Sequence, residues 1–144
     1  MKILPLVCVP ISLSVSACGK RNAFVTTNGG SWEMHGTEKE RIPKTGRYGG
    51  WLFTDSEPDW QATHLHFTDG SQRFDVPAMI IRNIAHPSEL DFSVSGNTPS
   101  NFTISLSGGD AAGFHIVRLY YRNGTVRRAE ADTAASFKPI SIYP

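Results

Sequence analysis

Apolar and polar residues alternate in short runs along most of this chain. Leu90, Phe92 and Val94 are separated by Asp91, Ser93 and Ser95, and Phe102, Ile104 and Leu106 by Thr103, Ser105 and Ser107. A period of two with one polar face belongs to strands packed on one side only. Gly and Pro interrupt the runs roughly every ten residues, the spacing of an all-β sandwich or barrel. Strands are expected over 32–35, 48–54, 62–68, 72–83, 90–95, 102–107, 114–122, 125–131 and 137–142. Helix-like composition is confined to 129–135 and to 38–41, and the latter lacks an apolar stripe. The pattern predicts an antiparallel β-sandwich of about eight to nine strands.

Two hairpins can be registered from their turns. Asn123-Gly124 supplies the positive φ angles of a type I′ turn, so Tyr121 should face Val126 and Tyr120 should face Arg127. Around Asp69-Gly70, a loop of two or of four residues leaves Phe67 opposite Gln72, Leu65 opposite Phe74 and His64 opposite Asp75. His64, His66, Arg73 and Asp75 then share one face, with Leu65, Phe67, Phe74 and Val76 on the other.

The N-terminus follows a different pattern. Lys2 is a minimal positive region, residues 3–15 form an apolar run too short to span a bilayer, and Ser16-Ala17 are small. The run reads as an export signal. Val15-Ser16-Ala17-Cys18 after it resembles the lipobox of bacterial lipoproteins, with Val15 where that family prefers Leu. The resemblance covers only the first twenty residues. It implies cleavage before Cys18 and a covalent diacylglycerol and N-acyl lipid on that cysteine, with no other cofactor. In a Gram-negative source, Gly19 after the cysteine implies the periplasmic face of the outer membrane. The expected organisation is a signal peptide over 1–17, a lipidated tether over 18–31 and one β-sandwich domain over 32–144.

Composition narrows the partners. Removing residues 1–17 from the 144 leaves 127, the size of one ordinary domain. Lys2 is one of 14 Lys and Arg, so the mature chain balances its 13 Asp and Glu. A neutral domain argues for no nucleic-acid partner. Cys8 falls in the signal, so the mature domain keeps Cys18 alone and has no disulfide to lean on.

Three constellations could carry function. His64 and His66 lie about 7 Å apart on one strand face, and with Asp75 they form a weak metal site for which His35 and His115 are conceivable further ligands. Asp55, Glu57 and Asp59 line a Pro-containing loop between Trp51 and Trp60, with Trp60 the better surface aromatic for a glycan or a protein. Arg118, Tyr120, Arg122 and Arg127 are expected on one face of the Asn-Gly hairpin, where guanidinium groups beside an aromatic suit a carboxylate-rich partner. No nucleophile elbow, phosphate loop or zinc-protease motif is present, which argues against an enzyme. The reading is a lipid-anchored periplasmic binding protein acting on another envelope protein, as an inhibitor, an immunity protein or an assembly factor. The alternatives are a peptidoglycan binder, or a metal-binding protein or enzyme built on His64, His66 and Asp75.

Overall fold

The computed structural model describes residues 19–41, 58–82, 84–109, 115–133 and 140–143. Cys18, Trp51, Asp55, Glu57 and the strand expected over 48–54 lie outside them. The chain is an all-β, antiparallel sandwich. A four-stranded sheet runs β1 (Arg21–Thr27), β2 (Glu33–Glu40), β3 (Trp60–Thr68), β4 (Arg73–Asp75). A five-stranded sheet runs β5 (Asp91–Thr98), β6 (Asn101–Gly108), β7 (His115–Arg122), β8 (Thr125–Thr133), β9 (Ile140–Tyr143). Each sheet is a meander in which consecutive strands pair. Between them the chain makes one short helix, α1 (Ala78–Ile81), and a 3-10 turn over Pro87–Glu89. Among the described residues no helix is long and apolar enough to cross a membrane.

The alternation seen in the sequence builds the core directly. Met34, Leu65, Phe67 and Phe74 from the first sheet meet Phe92, Phe102, Ile104, Leu106, Val117, Leu119 and Tyr121 from the second, all buried. Aromatic rings join the two layers. Phe74 lies edge-on to Phe102 and to Tyr121, with centroids 4.9 and 5.9 Å apart, and Phe67 meets Phe92 at 5.3 Å, while within the second sheet Phe102 stacks on Tyr121 at 4.8 Å. Such pairs add about 0.5–1.5 kcal/mol each to what burial alone contributes.

Several segments depart from expectation, and each departure has a local cause. The tether expected over 18–31 contains β1, which pairs with β2 along its whole length. Phe24 anchors it by packing against the core over Gly36, where a Cβ would collide with the Phe24 ring. The segment 38–41, helix-like in composition, continues β2 through Glu40, because β1 and β3 flank it and use its backbone groups. The strand expected over 72–83 stops at Asp75. Pro77 offers no N–H to a ladder, and its carbonyl accepts from Ile80 and Ile81 at 2.9 and 3.0 Å, starting α1 and burying both isoleucines. The alanines of 129–133 extend β8, with Ala129 and Ala131 filling the core opposite Leu119 and Val117.

Candidate functional surfaces

The outer face of the four-stranded sheet carries the histidines. Strand register places Val25, His35, His66 and Asp75 side by side across four strands. Beside that row lie Thr37 opposite His64, and Thr68 opposite Arg73. His64, His66, Arg73 and Asp75 therefore share the expected face, but His66 rather than His64 is the residue opposite Asp75. The pairing differs by two positions because Asp69 closes the loop. Its Oδ1 accepts from the Ser71 and Gln72 amides at 2.9 and 2.8 Å and from the Ser71 hydroxyl at 2.8 Å. A four-residue loop results, and Thr68 and Arg73 become the closing pair. A shift of two leaves every side chain on its original face.

Side-chain contacts draw this row together. His64 Nε2 and His66 Nδ1 are 3.1 Å apart. Arg73 Nη2 lies 3.0 Å from His64 Nε2, and since guanidinium only donates, that nitrogen is the unprotonated one. Arg73 also donates from Nε and Nη2 to Asp75 Oδ1 at 2.8 and 2.7 Å. His35 joins from β2, stacked on His66 with centroids 5.1 Å apart and planes within 9°. Its Nε2 is 2.8 Å from Glu33 Oε2. Partial burial lowers the His66 pKa, and the charges of Arg73, His35 and His64 lower it further against the opposing pull of Asp75. With His64 Nε2 accepting from Arg73, the hydrogen shared by the two rings sits on His66 Nδ1. His115, the other conceivable ligand, is buried at the start of β7 in the second sheet.

The outer face of the five-stranded sheet carries the arginines, in a different arrangement from the one expected. A bulge after Tyr120 makes Arg127 the extra residue, so Tyr120 faces Arg128. Arg128 lies over the Tyr120 ring, 4.2 Å from its centroid. The Tyr120 hydroxyl donates to Glu130 at 2.7 Å, and Arg118 pairs with Asp132 at 2.5 Å. That hydrogen bond raises the Arg118 pKa, while burial and then the Glu130 contact raise that of Tyr120. Arg118 and Tyr120 are thus occupied by carboxylates of the neighbouring strand, whereas Arg122 and Arg127 are exposed. The type I′ turn alone sets Arg127 opposite Tyr120 and turns Arg128, Glu130 and Asp132 to the other face, and it is the bulge that brings them round.

The remaining candidates separate. Trp60 is half-buried at the start of β3, opposite Glu40, and its carbonyl accepts from His86 at 3.0 Å. Asp59 is exposed. His86 itself adopts a left-handed conformation, with φ of 44°, unusual for a residue with a Cβ. Its Nδ1 is buried without a hydrogen bond, 3.6 Å from Glu89 Oε1. Glu38, pointing into the core from β2, is satisfied by the Ser88 hydroxyl at 2.8 Å.

The third surface is an edge. β1 ends the four-stranded sheet and is mostly exposed, with Val25 at 58%. A strand in that position presents a row of backbone donors and acceptors to whatever approaches. Comparison with family models, with curated proteins and with solved structures finds no match.

Proposed function

We propose that this chain is a lipid-anchored protein of the bacterial envelope that works by binding another envelope protein, with the β1 edge as its contact. The observation that carries the reading is the position of β1. It begins at Arg21, three residues beyond the lipobox cysteine, and it is exposed along the sheet edge. Strand addition to such an edge supplies affinity through main-chain hydrogen bonds and specificity through alternate side chains. Val25 is the apolar side chain on that strand with most of its surface in water. The outer membrane, facing the periplasm, is the compartment implied by Gly19 in a Gram-negative source. An inhibitor, an immunity protein and an assembly factor would all use such a contact.

Two measurements test the reading. Metabolic labelling with a fatty-acid analogue should mark the chain and not its Cys18→Ser variant. A photo-crosslinking amino acid placed at Val25 should give one discrete protein adduct in living cells, and the same group at exposed Ser93 on β5 should give none. No labelling removes the anchor. Absence of an adduct at Val25 removes the edge contact.

A further inference from the structure

We infer that the outer face of β3 and β4 is a binding site for one borderline divalent transition-metal ion, of the Zn²⁺ or Cu²⁺ kind, held by His64 Nε2, His66 Nδ1 and an Asp75 carboxylate oxygen. The three donor atoms lie within 4.8 Å of one another. Two imidazole nitrogens bound to one tetrahedral zinc at ordinary bond lengths sit about 3.3 Å apart. Here they are 3.1 Å apart. The site therefore needs little movement at the histidines, and Asp75 has only to close in from the adjacent strand.

A cationic group already occupies this position. Arg73 bridges His64 Nε2, at 3.0 Å, and Asp75 Oδ1, at 2.7 Å, so its guanidinium meets two of the three donors a metal would use. The Arg73 side chain is 53% exposed, and an ion pair so exposed is weakly held and readily released. A divalent ion would take the place of that charge, and Arg73 would swing into water. His66 would bind through Nδ1 and carry its proton on Nε2.

Donor chemistry sets the class of ion. Two imidazole nitrogens with one carboxylate suit zinc, copper and nickel, while calcium and magnesium take oxygen ligands. The sheet face leaves the remaining coordination positions to water. His35, stacked on His66 and bonded to Glu33, holds the ring in place as a positioning residue. This inference stands apart from the anchor and the β1 contact, and its test uses neither.

The test is titration of the chelator-stripped full chain with Zn²⁺ against a chromophoric chelator, then with Cu²⁺. One ion per chain is expected. His64→Asn and His66→Asn should each weaken binding by ten-fold or more, and Arg73→Gln should tighten it several-fold by removing the competing cation. Imidazole nitrogen resonances of His64 and His66, and not those of His86, should shift on Zn²⁺ addition. All three substitutions lie on a water-facing surface, and unchanged melting temperatures would show that the variants fold. No saturable uptake overturns the inference, as does uptake that the double histidine variant leaves unchanged.

Discussion

Asp69 shows how one side chain sets the register of a hairpin. Its carboxylate closes the β3–β4 loop with three hydrogen bonds, and those bonds decide that Thr68 rather than Phe67 begins the pairing. The same bonds hold its pKa below the ordinary value of 3.8, the Ser71 amide contributing most. A carboxyl whose pKa is lowered by folding stabilises the fold above its unfolded value and loses that contribution as pH falls through the folded value. Asp69 is only partly buried, and solvent screening keeps the contribution small. Asp69→Ala should cost about 1 kcal/mol at neutral pH, read as a lower denaturant midpoint with unchanged slope. The difference from the parent chain should shrink below pH 4. Asp69→Asn keeps the acceptor oxygen, so it should retain most of the stability and lose the acid dependence.

At the scale of elements, what was legible in the sequence depended on which force controlled each segment. Strands with one apolar face, such as β5 and β6, announce themselves, because their alternation is the packing. The sides of the β3–β4 hairpin were legible for the same reason, and the histidine face followed from them. Register was not, because hydrogen bonds inside a loop and a bulge at Tyr120 decide it, and a shift of two leaves the alternation unchanged. β1 and the end of β2 were not legible because their residues are polar on most positions. Flanking strands hold them, and local preference does not predict that. The joining of the two sheets through Tyr121 was hidden for a further reason, being a contact across 46 positions of sequence. Its hydroxyl donates to the Asp75 carbonyl at 3.3 Å, and burial pushes its pKa far above the ordinary tyrosine range. Tyr121→Phe keeps the stacking on Phe102 and removes only that bond. It should lower stability by about 1 kcal/mol, measured by denaturant unfolding, whereas Phe74→Ala should cost about 3–5 kcal/mol by opening a cavity between the layers.

For the whole molecule, the position of β1 decides how the domain would stand on a membrane. A chain spans at most about 3.3–3.6 Å per residue, so the residues between Cys18 and Arg21 allow a leash of roughly 10 Å. A lipid on Cys18 would hold the start of β1, with Lys20 and Arg21, against the headgroups. The residues opposite that end, Lys39 across from Arg21 and Trp60 across from Glu40, would share the same height. The exposed edge of β1 would then rise from the surface at a fixed orientation. A partner held in the same membrane would meet it at a high effective concentration. A flexible insert of fifteen Gly and Ser residues between Cys18 and Gly19 would extend the leash to roughly 20 Å on average. It touches no strand, so the melting temperature should stay where it is. Effective concentration falls steeply once a linker exceeds the span it must cover, and the crosslinking yield at Val25 should drop several-fold with it. An undiminished yield would mean that the partner diffuses freely in the periplasm and that the short leash has no part in bringing the two together.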